Sequence, residues 1–357
     1  MKIAFRVDAS TQIGTGHFMR CLTIANALKK RGAQIRFVSR FLPEHLVDML
    51  SSEGHEFMHL SSRKIDSSHG DLAHAHWLGT SQHTDANDSI HALSGQEWDW
   101  LVVDHYALDE RWEKALRKMT RHILIIDDIA DRKHDCDVLL DQNYYSGMET
   151  RYSGKVPEHC QLLLGPRYAL LRDEFRQLRE QASPRSGPIK RVLVFFGGVD
   201  VDNCTGKTIE ALANLGVQNI HVDVVIGALH PNREQLELEC AGHRFECHVQ
   251  TSRMAALMAA ADFAIGAGGS ATWERCCLGL ASLTVSTADN QIAIARELEK
   301  LGAGKYYDLT RSVDIKDYFR IISSTMMDFK SANRMSKRAF EIVDGLGVDR
   351  FCASIGC

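Results

Sequence analysis

The sequence has no apolar stretch of the ~18 uninterrupted residues that a membrane-spanning helix needs. Its best window, "MAALMAAADFAIGAG", is broken by Asp262. The opening "MKIAFRVD" carries charge where a secretion signal needs an apolar core, so none is expected. There is no excess of base: 42 Lys and Arg stand against 46 Asp and Glu, giving a net charge of −4. That balance, with the two signs interspersed, argues against a nucleic-acid binder or a stably membrane-associated protein, which would show a basic face or tail. Proline is scarce, at 6 residues. Ten cysteines are present, but no C-x-x-C pair, and several lie in apolar or helical runs, as Cys21 and Cys276-Cys277 do. A disulfide framework is therefore not read; free thiols in a reducing cytoplasm are expected.

Complete cofactor motifs are also missing. A dinucleotide fingerprint begins at Gly14-Thr15-Gly16 but has Met19 in its third glycine position, and the second strand ends in Arg40 rather than an acid. Gly206-Lys207-Thr208 hints at a phosphate-binding loop, yet the first glycine of that motif would fall at Val201. Asp135-Cys136-Asp137 and Asp200-Val201-Asp202 are D-x-D pairs, a pattern too short to assign a metal. His69, His74, His76 and His83 cluster in sequence, but their spacing fits no closed zinc site and no cysteine is near. No cofactor and no metal are assigned.

What is present is alternation. Short β-branched apolar runs recur along the 357 residues: "KIAFRVD", "QIRFVSR", "EFMHL", "WLVVDHY", "HILIIDD", "VLLDQN" and "LLLG", then "RVLVFFGG", "HVDVVIG", "FECHVQ", "FAIGAG", "SLTVS" and "KYYDL". Consecutive apolar positions fit parallel strands buried on both faces. Amphipathic segments such as "FMRCLTIANALKKRG" and "ADNQIAIARELEKLG" lie between them. The fold class is α/β. The alternation restarts after a Pro/Ser/Gly/Arg-rich segment, Ser183 to Pro188, and each half opens with a strand, a glycine turn and a helix. Two Rossmann-like domains facing across a cleft are expected, residues 1–184 and 185–325, with a helical tail at 326–357 packing back on the first. The His-rich stretch Ser61 to Asp85 lacks periodicity and reads as a surface excursion.

Two constellations carry chemistry. In "RVDASTQIGTGHFMR", Gly14 and Gly16 form a tight turn, and His17 stands at the start of a helix. The positive end of the helix dipole disfavours imidazolium, so His17 is suited to accept a proton. In "GAGGSATWERCCLGLASLTVSTADNQ", Gly266, Gly268 and Gly269 leave bare backbone before a helix near Ser270, a ready phosphate site. Glu274 lies one turn further on the same face, placed to accept hydrogen bonds from sugar hydroxyls. Asp289, Asn290 and Gln291 open the next helix. Taken singly, each residue also fits a plain role in turns, caps and packing.

These two stretches, with "VVDHY", "IDDIADR", "LLDQNY", "LLGPRYALLRDEF" and "VLVFFGGVD", resemble the UDP-2,4-diacetamido-2,4,6-trideoxy-β-L-altropyranose hydrolases of bacterial pseudaminic acid synthesis. The resemblance implies the two-domain GT-B fold of nucleotide-sugar glycosyltransferases, similar to the lipid II N-acetylglucosaminyltransferase. It implies a catalytic role for His17 and a nucleotide-binding segment at Gly269, Ser270 and Glu274. Asn290 and Gln291 would lie near diphosphate and sugar, and Thr251 to Met254 beside the uracil. Gly14, Gly16, Asp104, Tyr106, Asn143, Arg167 and Tyr168 would line the sugar half, with Gly198 on the nucleotide half. The implied partner is a small UDP-sugar, with other enzymes of the pathway as further candidates. Glycosidases usually need two carboxylates, but a nucleoside diphosphate leaves readily once its growing charge is held, so one base suffices. Two other classes stay open: a GT-B transferase using a UDP-sugar donor and a sugar or lipid-linked acceptor, and a non-catalytic nucleotide-sugar sensor.

Overall fold

The computed structural model describes residues 1–61, 70–215, 220–286, 289–309 and 315–357. The chain divides into two compact units. Unit 1 comprises Met1–Asn143, Gly147–Leu170 and Gly347–Cys357; unit 2 comprises Tyr144–Ser146 and Leu171–Leu346.

Unit 1 runs β1 (Lys2–Val7), α1 (Gly16–Lys30), β2 (Gln34–Ser39), α2 (Glu44–Ser52), β3 (Glu56–His59) and α3 (Gln82–Leu93). It continues with β4 (Trp98–Asp104), α4 (Glu110–Leu116), β5 (Thr120–Ile126), β6 (Val138–Asp141) and β7 (Gln161–Leu164). The strands form a seven-stranded sheet in the order β3-β2-β1-β4-β5-β6-β7, every pair parallel. Alternation along β1 divides its side chains between two cores. Ile3, Phe5 and Val7 pack with Phe18, Ile24 and Leu28 of α1, whereas Ala4 joins Leu101 and Val103 of β4 and Trp112 of α4 on the opposite face. Burial on both faces explains why these strands read as near-continuous apolar runs.

Unit 2 runs α5 (Asp173–Gln181), β8 (Arg191–Phe195), α6 (Cys204–Asn214), β9 (His221–Ile226), α7 (Arg233–His243), β10 (Glu246–Val249) and α8 (Met254–Ala260). There follow β11 (Phe263–Ala267), α9 (Ala271–Cys277), β12 (Ser282–Ser286), α10 (Asp289–Lys300), β13 (Lys305–Asp308), α11 (Ile315–Met327) and α12 (Phe329–Ile342). Six parallel strands are ordered β10-β9-β8-β11-β12-β13. The chain then returns to unit 1 as α13 (Gly347–Ser354), whose Phe351 and Cys352 enter the core beside α1.

All thirteen strands anticipated from the apolar runs are present at those runs. The ten cysteines are free. Three placements differ from the sequence reading. The tail expected at 326–357 is split: 326–346, with α12, stays in unit 2, and only Gly347–Cys357 returns to unit 1. Ser183 to Pro188 lies inside unit 2, where the Arg185 guanidinium donates to the carbonyls of Met258, Ala259, Ala261 and Leu278. A Pro/Ser/Gly-rich composition does not reveal that one arginine ties the segment down. The Ser61 to Asp85 stretch is not wholly a surface excursion. Its last four residues start α3, and Asp85 is fully buried. Its carboxylate offsets two buried arginines, Arg6 at 2.8 Å and Arg40 at 3.0 Å, which hydropathy alone cannot foresee. His69 lies outside the described residues.

Candidate active site

In each sheet the strand order reverses at one place, and loops leaving the carboxyl ends there diverge to leave a crevice. In unit 1 the reversal lies between β1 and β4. The loop after β1 folds back on itself: the Gly14 amide donates to the Ser10 carbonyl at 2.8 Å, and the Ser10 hydroxyl accepts from the amides of Gln12 and Ile13. Gly14 has φ +76°, a conformation that suits glycine, and no atom stands within 4 Å of where a Cβ would sit on Gly14 or Gly16. Helix α1 begins at Gly16, and Thr15 makes no side-chain cap, which leaves the first-turn amides without that acceptor.

His17 and Arg20 are one helical turn apart and share a face of α1. Both reach Asp104 at the end of β4. His17 Nδ1 is 2.6 Å from Asp104 Oδ1, and Arg20 donates through Nε to Oδ2 at 2.5 Å and through Nη2 to Oδ1 at 2.7 Å. Burial would raise the Asp104 carboxyl, but Arg20 and then His17 outweigh it and hold the group well below the usual carboxylate range. An ionised carboxylate only accepts, so the neutral His17 ring here takes the tautomer with its proton on Nδ1 and its lone pair on Nε2. Arg20 Nη2, 3.2 Å from the same Nδ1, is then a crowded second donor rather than a hydrogen-bond partner. Arg20 extends the network to Asp128 after β5 at 2.8 Å, and Asp128 accepts from the Tyr106 hydroxyl and from Asn143 Nδ2 at 3.3 Å. The Tyr106 ring meets His17 edge-on at 4.6 Å and stacks on Trp77 at 5.5 Å, which His74 also touches.

The sequence reading singled out His17, Asp104, Tyr106 and Asn143, and these come together. It missed Arg20, Asp128 and Trp77. The i, i+3 spacing from His17 and the second acid of "IDDIADR" were the available signals for the first two. Arg167 and Tyr168 are engaged with each other and with unit 1 elsewhere. The Arg167 guanidinium lies over the Tyr168 ring, the Arg167 carbonyl accepts from Arg350, and Tyr168 packs against the unit 1 core.

Beneath this cluster, Asp141 ends β6 in a buried position, accepting from the Asn143 amide at 2.9 Å and facing the Tyr152 hydroxyl at 3.0 Å. Burial, and then the charge on Asp128, push its carboxyl up to about 8 from 3.8. A raised acid takes up a proton on folding, so its stabilising contribution is present below pH ~4 and lost as pH rises through ~8. Asp141→Asn mimics the protonated acid. Relative to the unsubstituted protein, its stability is expected to rise by at least ~1 kcal/mol between those two pH values. Urea unfolding midpoints on either side of the interval check this; parallel curves would contradict it.

In unit 2 the reversal lies between β8 and β11. The strands approach so closely that a Cβ on Gly266 would sit 2.0 Å from the Phe195 carbonyl oxygen, and one on Gly227 would sit 2.2 Å from that of Gly198. Only glycine fits. The bare backbone continues through Gly269, at φ +97°, to Ser270 at the head of α9. Gln291, on the first turn of α10, contacts this turn: its Cβ would be 3.1 Å from a Cβ on Gly268. The buried Arg275 guanidinium donates to the Ala267 carbonyl at 3.1 Å and fixes the strand end from below. Glu274 faces Arg172 at 3.7 Å, and burial pushes its carboxyl up, opposed by Arg172. Arg172 was not foreseen. The Thr251 hydroxyl accepts from the Arg253 amide, and Met254 is buried at the start of α8. Asn290 opens α10, but its side chain, like Thr287 and Ala288, lies outside the described residues.

The D-x-D pairs have structural partners. Asp135 and Asp137 both hold Arg117, at 3.0 and 2.5 Å, and Asp200 accepts from the amides of Cys204 and Thr205 at the start of α6.

No family model matches the chain. It is 26% identical over 237 residues to the UDP-2,4-diacetamido-2,4,6-trideoxy-β-L-altropyranose hydrolase of Campylobacter jejuni, an alignment covering 66% of this chain and 73% of that protein. It is 27% identical over 200 residues to the spore coat polysaccharide biosynthesis protein SpsG of Bacillus subtilis, covering 56% of this chain and 59% of the relative. Among solved structures, Acinetobacter baumannii MurG matches with a TM-score of 0.65 at 14% identity, over 99% of this chain and 98% of that one. Phytolacca americana UGT2, solved with UDP-2-fluoro-glucose and pterostilbene, matches with a TM-score of 0.69 at 10% identity, over 99% and 98%. The fold is therefore that of the GT-B glycosyltransferases.

Proposed function

We propose that this protein hydrolyses a UDP-linked sugar of the 2,4-diacetamido-2,4,6-trideoxy-β-L-altropyranose type, releasing UDP and the free sugar for bacterial surface-glycan synthesis. The observation that carries this reading is the 2.6 Å pairing of His17 Nδ1 with an ionised Asp104, which leaves Nε2 as a base beside a bare glycine turn. The similarity to the Campylobacter hydrolase supports the substrate class.

In the proposed step Nε2 of His17 takes a proton from water as the oxygen attacks the anomeric carbon. The bond from that carbon to the diphosphate oxygen breaks with inversion, and UDP departs with the electron pair. Asp104 holds the imidazole in its reactive tautomer and stabilises the imidazolium that forms. Gly198, Gly269, Ser270, Glu274, Asn290 and Gln291 are assigned to the nucleotide and diphosphate. Thr251 is assigned to the base, with Met254 supporting that loop from the core. Gly14, Gly16, Tyr106 and Asn143 are assigned to the sugar, and Arg167 and Tyr168 to its periphery.

The GT-B fold favours one second reading, a transferase in which the same base deprotonates an acceptor hydroxyl. A panel of UDP-sugars incubated in water enriched in oxygen-18 separates the two. Hydrolysis predicts UDP release without added acceptor and label in the sugar. Label in UDP would place the attack at phosphorus, and release only on adding an acceptor would establish the transferase.

A further inference from the structure

At the amino ends of β9 and β10, away from the glycine turns at the carboxyl ends, four metal-ligating side chains converge on one sheet face. His221 and Asp223 lie two apart on β9, and Glu246 and His248 two apart on β10; the register places Glu246 opposite Asp223. His248 Nε2 is 2.8 Å and His221 Nε2 3.4 Å from the same Asp223 oxygen, Oδ1. Glu246 faces both imidazoles with different oxygens, Oε1 3.7 Å from His221 Nε2 and Oε2 3.9 Å from His248 Nε2. Asp223 is fully buried, while His221 and Glu246 are reached by solvent.

We propose that His221, Asp223, Glu246 and His248 form a zinc site. Bonds of about 2.0–2.2 Å to a tetrahedral zinc place the ligand atoms about 3.4 Å apart. The separations of His221 Nε2 from Asp223 Oδ1 (3.4 Å) and from Glu246 Oε1 (3.7 Å) lie close to that value, and these three residues gather their ligand atoms within 4.8 Å of one another. A turn of the His248 ring, now 2.8 Å from Asp223 Oδ1, supplies the fourth ligand. Two imidazoles with two carboxylates suit zinc rather than magnesium or calcium, which favour oxygen alone. Arg191 grips both carboxylate oxygens of Asp223, Nε donating to Oδ2 at 2.6 Å and Nη2 to Oδ1 at 3.0 Å. It so orients the group as outer-shell partners of metal ligands do, leaving Oδ1 one lone pair for the ion. Bound zinc would tie the edge strand β10 to β9 and displace any proton held on the two Nε2 atoms. The two strands contribute ligands 25 residues apart in sequence, which is why residue spacing does not disclose the site.

The test uses the full chain, stripped of metal by dialysis against a chelator and titrated with zinc chloride by calorimetry. His221→Gln and Glu246→Gln change solvent-reached positions, and their metal-free Tm values verify folding. The wild type is expected to bind zinc at this site, each variant about tenfold or more weakly. Zinc should raise the Tm of the wild type but not of the double variant. Absence of zinc binding by the wild type overturns the proposal. So does an equal Tm rise in the double variant, which would place the zinc elsewhere among the ten cysteines and remaining histidines.

Discussion

His17→Ala is expected to lower the rate of UDP release by ~10²–10⁴-fold, the usual effect of losing one general base, while nucleotide affinity stays near that of the wild type. The separation follows from where the groups lie. His17 belongs to unit 1, whereas every residue assigned to the nucleotide belongs to unit 2. His17 touches Asp104 and Tyr106, and neither packs through it into a hydrophobic core. Single-turnover rates measured beside UDP titration calorimetry check both halves. A variant that hydrolyses within a few-fold of wild type while still binding UDP removes His17 from the mechanism.

The second large effect is expected at Asp104. Asp104→Asn keeps the volume but replaces an acceptor-only group with one that can donate to His17 Nδ1. That interaction moves the ring proton to Nε2, where it blocks the base, so a loss of about 10²–10⁴-fold in kcat is expected with little change in KM. Asp104 also receives Arg20, so a purely structural role needs a separate readout. If Asp104 acts through His17, the His17→Ala/Asp104→Asn double variant is no slower than His17→Ala alone, because groups acting as a unit are lost together. Multiplying rate losses would instead assign Asp104 a role independent of the imidazole.

Strands were legible because two-sided burial writes itself as β-branched runs, and "KIAFRV" or "FAIGA" leave no other element plausible. The two glycine turns were legible for a related reason. Gly266 has the Phe195 carbonyl where a Cβ would be, a demand that shows in sequence as glycine at a strand end. The charged partners were less so. Arg20 lies in an amphipathic helix, where an arginine ordinarily reads as solvent-facing, yet it is buried between Asp104 and Asp128. Asp85 was hidden inside a polar stretch, although it compensates two buried guanidinium groups. Trp77 gave no periodic signal, because it sits in a short turn and reaches Tyr106 by stacking. Pairings between distant loops depend on strand order, and composition does not encode that order directly.

The return of α13 to unit 1 bears on the order of events during synthesis. Domains usually complete themselves from the amino end as the chain emerges from the ribosome. Here the nascent first unit lacks Phe351 and Cys352 until unit 2 has been translated, so unit 2 is free to mature first. Until then α1, which presents the imidazole, is missing a packing neighbour that only α13 supplies among the described residues.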